Sequence, residues 1–233
     1  MRSLRLFLAL LRWDVLRELR RKDTLANMVL FALLVLFLAE IGIGPDREFI
    51  ASVGPVVFWI AVLFAGTVGV SQTFAAEREG NVLGGTLTAP VDAGVFYLAK
   101  VVATCSYVII MEGATLFLYC VLFDFSPGDR LPGLLLVMAV FTVAYMAVGV
   151  VLAAMTTTLR GGGEVILRIL LFPLMIPMIW LTLRVSQTVF DTVIAGGNLG
   201  PPLSLGSYVA TGLAFDAIYL TAGYLLFPKV IEE

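Results

Sequence analysis

Six stretches of some twenty or more mostly uncharged residues divide this 233-residue chain, and that is the length a helix needs to cross a hydrocarbon core of about 30 Å. They lie near Leu25–Ile43, Pro55–Ala75, Val95–Phe123, Leu134–Thr156, Val165–Leu183 and Tyr208–Phe227. Lipid offers no partners to backbone N–H and C=O groups, so runs of this kind are helices that bond to themselves. The connections Gly44–Gly54, Asp124–Gly133 and Thr157–Glu164 are short, and Val185–Ser207 is rich in Gly and Pro; none can fold alone. The expectation is an all-α integral membrane protein, a single transmembrane domain over residues 1–233. Composition agrees, since 60% of the residues are hydrophobic, well above the roughly 45–50% of soluble domains.

Charge gives the helices a direction. Twelve of the 15 Lys and Arg fall on one side of the six spans: Arg2, Arg5, Arg12, Arg17, Arg20, Arg21, Lys22, Arg78, Lys100, Arg160, Arg168 and Lys229. Arg47, Arg130 and Arg184 fall on the other. Cytoplasmic flanks keep positive charge, so both termini are predicted to be cytoplasmic. Before the first span, Leu4, Leu8, Leu11, Val15 and Leu19 recur at helical spacing among arginines, with Trp13 beside them. Residues 1–22 therefore read as an amphipathic helix lying in the headgroup plane, or as one packed on a partner protein. The net charge of −2 makes this cation excess local, which suits lipid headgroups and not nucleic acid. No small-residue cleavage site follows a short apolar run, and Met1–Lys22 is read as part of the mature chain.

Several chemistries are unsupported. The chain has no histidine, which removes the commonest metal ligand and catalytic base. Cys105 and Cys120 share one apolar span and read as small hydrophobes. No G-x-x-x-x-G-K-[ST] segment occurs, so energy from ATP would have to come from another chain. No catalytic residues, no metal site and no bound cofactor are assigned.

The candidate residues are of three kinds. Residues 76–94, between the second and third spans, carry Glu77, Arg78, Glu79, Leu83, Gly85, Leu87, Pro90 and Asp92, the densest charge of any internal connection. They read either as a contact that receives movement from a cytoplasmic motor or as a solvated hairpin. Glu112 and Asp216 lie within spans, where a carboxyl is costly and normally faces a bundle interior, a partner or a pathway. Glu40, near the outer interface, reads as solvated. Lys100, Arg168 and Arg184 are placed near interfaces. Pro173 and Pro177, four apart on one face of the fifth span, are candidates for a kink or a gate, and Arg160-Gly161-Gly162-Gly163-Glu164 is a flexible joint before it.

Phe74-Ala75-Ala76-Glu77-Arg78-Glu79, followed by Leu83, Gly85, Leu87, Ala89-Pro90-Val91-Asp92 and Phe96-Tyr97-Leu98-Ala99-Lys100, resembles the CcmB family. So does Arg160-Gly161-Gly162 through Leu170-Leu171-Phe172-Pro173-Leu174-Met175-Ile176-Pro177. The chain departs from the family's pattern at Gly84, where members carry an acid, and in the order Gly80-Asn81. CcmB proteins are permease subunits of a haem-exporter-type ABC transporter used in cytochrome c maturation.

The resemblance implies a type-2 ABC exporter fold in the bacterial inner membrane, with no enzymatic activity of its own. It also implies that residues 76–94 dock on a CcmA-like ATPase subunit, which binds the ATP. The associated proteins would be a CcmC-like haem-handling protein, a small CcmD-like subunit and a CcmE-like haem chaperone, with a second copy of the chain as a further partner. Haem would be cargo. With no histidine, the chain lacks the imidazole that commonly ligates haem iron, so ligation would belong to a partner, with Tyr, Met and Cys as the other ligand types present. The rival readings are a type-2 permease for a lipid or drug and an intramembrane assembly scaffold.

Overall fold

The computed structural model describes residues 22–44, 46–74, 92–157, 163–192 and 199–232. They form α1 (Lys22–Ile43), α2 (Arg47–Gln72), α3 (Ala93–Leu122), a 3-10 turn (Gly128–Arg130), α4 (Leu131–Thr157), α5 (Gly163–Val189) and α6 (Leu205–Glu232). All six α-helices are long and apolar enough to cross a membrane. Residues 1–21, and with them almost all of the expected amphipathic helix, lie outside the described residues.

Local chemistry fixes the helix ends. Asp46 caps α2, its carboxylate accepting from Glu48 N at 3.0 Å and Phe49 N at 3.2 Å. That cap carries the second span back to Arg47, eight residues before the expected start at Pro55. Pro55 therefore sits inside the helix, where it has no N–H to offer the carbonyl of Ala51. The Thr192 hydroxyl donates to that carbonyl instead, at 2.7 Å. Asp92 caps α3 in the same way, accepting from Gly94 N at 2.8 Å and Val95 N at 3.3 Å. The third helix thus begins at Ala93, within the last residues of the expected 76–94 connection.

At the opposite end α3 and α5 stop alike. Each finishes on a Phe-Asp pair whose aspartate is left-handed, Asp124 at φ 51° and Asp191 at φ 54°. The next residue bonds back to close the turn, Phe125 N to Cys120 O at 3.1 Å and Thr192 N to Gln187 O at 3.0 Å. Aspartate here occupies the position usually given to glycine, one of few other residues that tolerate this backbone. The fifth helix accordingly runs on to Val189, past the expected end at Leu183.

The helices surround α4. Its most apolar stretch is 78% buried, against 17% for α1 and for α6, as expected of a helix that is apolar on every face. Because lipid tails are as apolar as leucine, helices in a membrane associate through close packing and hydrogen bonds. Tyrosines supply both here. Tyr97 donates to Ala147 O, Tyr107 to Gly69 O and Tyr145 to Leu63 O, at 2.9, 2.9 and 2.8 Å. Tyr208 donates to Val137 O at 3.2 Å and Tyr219 to Leu174 O at 2.9 Å. These five bonds cross between helices and stitch α2, α3, α5 and α6 together, mostly through α4. Tyr145→Phe, which deletes one of them, is expected to lower stability in detergent by about 0.6 kcal/mol, the mean for such bonds in a membrane bundle, as read in an unfolding titration.

Candidate functional site

Two polar places stand out in this apolar bundle. The first is at its centre. Glu112 of α3 has no solvent exposure, and the Thr142 hydroxyl of α4 lies 2.7 Å from its Oε1 and 2.8 Å from Met138 O. The Cys105 thiol approaches the Thr142 carbonyl at 4.0 Å. Asp216 of α6 is 5% exposed and its carboxyl meets the Ala144 backbone of α4. Glu112 Oε2 and Asp216 Oδ1 are buried without a hydrogen-bond partner. Both carboxyls thus lie in the interior around residues 138–144 of α4, as their cost in lipid requires, though no hydrogen bond joins them. Glu40 is half-buried near the end of α1.

The second place is the end of the bundle where α1, α3 and α5 begin and α2, α4 and α6 finish. Here Phe74, just past α2, packs on Phe227 of α6 with ring centroids 6.3 Å apart. Phe227 also meets Phe96 at 6.0 Å and Tyr97 at 5.4 Å, both on α3. Lys100 lies among these rings, its Nζ 5.5 Å from the Phe74 centroid and 5.7 Å from that of Phe96. It is only 5% exposed. The sequence places Lys100 near an interface; the structure encloses it at this end of the bundle, where ring faces can substitute for part of an ammonium's hydration. Signals for this were present in Phe96 and Tyr97, four and three residues before the lysine on one helix face, but Phe74 and Phe227 come from elsewhere in the chain.

Of the connection between these helices, Asp92 is described, as the cap of α3. Glu77, Arg78, Glu79, Leu83, Gly85, Leu87 and Pro90 lie outside the described residues, as do Arg160, Gly161 and Gly162 of the glycine joint. Pro173 and Pro177 are exposed on α5, which continues through both as one helix.

At the far end a cavity of about 360 Å³ opens between Ile50 and Ala51 of α2, Tyr119 to Phe125 at the end of α3, and Phe190 after α5. Sequence reading did not find it, because its walls, mostly apolar with Tyr119 and Asp124 among them, are brought together by three separate helix ends. Among the described residues no group of three or more acidic or sulfur ligands could hold a metal ion.

The profile of the family described as "CcmB protein" matches residues 5–218. The "Heme exporter protein B" of Pseudomonas aeruginosa is 28% identical over 207 residues, which cover 88% of this chain and 89% of that protein. The protein of the same description from Bradyrhizobium diazoefficiens is 26% identical over 200 residues, covering 84% and 86%. That from Haemophilus influenzae is 27% identical over 201 residues, covering 83% and 87%. With six helices long and apolar enough to cross a membrane, a family match over residues 5–218 and relatives aligned over most of its length, this multi-pass membrane protein belongs to the CcmB family.

Proposed function

We propose that this chain is the membrane-spanning subunit of an ABC transporter that exports haem, or works on a haem chaperone, during maturation of c-type cytochromes. In this reading residues 76–94 receive the movement of a separate, CcmA-like ATPase. The observation that carries it is the family match over residues 5–218, with full-length relatives described as "Heme exporter protein B". The site geometry supports the coupling half: the residues flanking the connection, Phe74 and Asp92, are both built into helix packing and capping at one end of the bundle. A push applied there is delivered to helices.

The chain itself hydrolyses nothing and lends no histidine to haem. CcmC-like, CcmD-like and CcmE-like proteins would complete the assembly, two copies of this chain in a type-2 arrangement would pair with two ATPases, and both termini would face the cytoplasm with the motor.

The test is ATP turnover of the complex of this chain with its ATPase subunit in lipid nanodiscs. Replacing Glu77, Arg78 and Glu79 together by alanine is expected to return turnover to that of the isolated ATPase. Unchanged turnover in the substituted complex would refute the coupling role, and a chain that never co-purifies with an ATPase would be a scaffold.

A further inference from the structure

Tyr97 of α3 has no solvent exposure, and its hydroxyl meets two other helices at once. It donates to Ala147 O of α4 at 2.9 Å. It also occupies the space where Gly223 of α6 lacks a side chain, since a Cβ there would collide with the hydroxyl and with Cζ. Three residues earlier on α3, Gly94 lies under Tyr224 of α6, and a Cβ on Gly94 would collide with that ring. Each helix thus seats its tyrosine on the other's glycine, which lets ring and backbone approach closely. The junction of α3, α4 and α6 closes around the Tyr97 phenol.

Packing alone does not account for the phenol oxygen. Phenylalanine would fill the same place with no polar atom to desolvate. The Ala147 carbonyl does not need the bond either, because inside α4 it already has the N–H four residues on. Position supplies the reason. Tyr97 stands five residues after Asp92, the cap at which the connection from α2 enters α3, or about 7.5 Å along the helix axis. A movement of the start of α3 carries Tyr97 with it.

We propose that Tyr97 is a positioning residue for coupling: its hydroxyl, seated on Gly223 and bonded to Ala147 O, hands a displacement of the start of α3 to α6 and to the central helix α4. The inference rests on the coupling role given to residues 76–94 and names the contact through which their movement enters the bundle. The bond matters to turnover in so far as it is made in the coupled arrangement and lost in the other.

The experiment compares Tyr97→Phe with Tyr145→Phe, in the same complex with the ATPase subunit in lipid nanodiscs. Both delete one tyrosine hydrogen bond to a carbonyl of a neighbouring helix, Tyr145 to Leu63 O of α2 at 2.8 Å, so a general loosening of the bundle would affect them alike. Tyr97→Phe is expected to co-purify with the ATPase at wild-type yield and to lower its stimulated turnover by about 3- to 18-fold, the span between an average and the strongest interhelical bond measured in a membrane bundle. The KM for ATP should not change. Tyr145→Phe should keep wild-type stimulation. Gly223→Ala displaces the hydroxyl from the α6 side and is expected to behave as Tyr97→Phe does; it carries the test if Tyr97→Phe fails to accumulate.

Wild-type stimulation in Tyr97→Phe, or an equal defect in Tyr145→Phe, would overturn the assignment. If alanines at Glu77, Arg78 and Glu79 abolish stimulation while Tyr97→Phe does not, only the contact is refuted. If those alanines have no effect, the coupling role falls and the contact with it.

Discussion

Glu112→Lys is expected to prevent the chain from accumulating in the membrane, whereas Glu112→Gln is expected to be tolerated. The Glu112 side chain has no exposure and lies two-thirds of the way along α3, against α4. Glutamine keeps the volume, and its amide oxygen can accept from Thr142 as Oε1 does. Lysine has no acceptor at all, so that contact is lost, and Thr142 is left with Met138 O. The larger loss is the ammonium itself. Placing Lys or Arg at the centre of a membrane helix costs about 2.5–3.5 kcal/mol on insertion scales, and an uncompensated charge inside a packed bundle costs about 3–5 kcal/mol. Snorkelling to water would relieve the cost near a helix end, but the side chain is enclosed on every side. Folded proteins are stable by only about 5–15 kcal/mol, so the substitution consumes a large share of the margin. Size-exclusion profiles of a fluorescent fusion would read the outcome. A monodisperse Glu112→Lys peak at wild-type yield would show that the interior around Thr142 is open to water. Glu112→Leu separates structure from function: it removes the unpartnered oxygen and should fold, so a loss of haem delivery in that variant would assign the carboxyl to transport.

The sequence made some of this visible and hid the rest for physical reasons. The number of spans follows from hydropathy, because a run of twenty apolar residues has few alternatives in lipid. Their ends do not, because ends are set by single side chains. Asp46 extends α2 past Pro55, and the carbonyl that the proline leaves free is filled by Thr192, a residue 141 positions away that no local pattern could supply. The Phe-Asp endings of α3 and α5 are repeated in plain sight, yet aspartate is a weak stop signal beside glycine. The interior location of Glu112 and Asp216 was legible from the cost of carboxyls in lipid. Their support was not, since Thr142 reads like any small polar residue in a membrane helix. That Lys100 is enclosed was not legible, because only the fold brings Phe74, just past α2, beside it. The far-end cavity follows the same rule: Ile50, Phe123 and Phe190 are each unremarkable until three helix ends meet.

Gly66→Val is expected to separate α2 from α4 and to destabilise the bundle by about 2–5 kcal/mol. Gly66 faces the Tyr145 ring, and a Cβ there would collide with Cε1 while approaching both Cζ and the hydroxyl at 3.2 Å. Tyr145 cannot retreat. It is buried, stacked on Phe141 at a centroid distance of 5.7 Å, and bonded to Leu63 O. Overpacking alone costs about 1–3 kcal/mol. The hydrogen bond adds about 0.6 kcal/mol if it breaks, and the aromatic pair about 0.5–1.5 kcal/mol. Replacing a helical glycine would otherwise help, but by less than about 1 kcal/mol for a β-branched residue, so the collision decides the sign. A double-mutant cycle identifies the cause. Tyr145→Ala by itself opens a cavity worth about 3–5 kcal/mol, but in its presence the collision disappears. Gly66→Val/Tyr145→Ala should therefore be no less stable than Tyr145→Ala alone, because valine refills part of the space. Strict additivity of the two losses in thermal unfolding would mean that Gly66 and Tyr145 do not touch, and that some other contact holds α2 against the central helix.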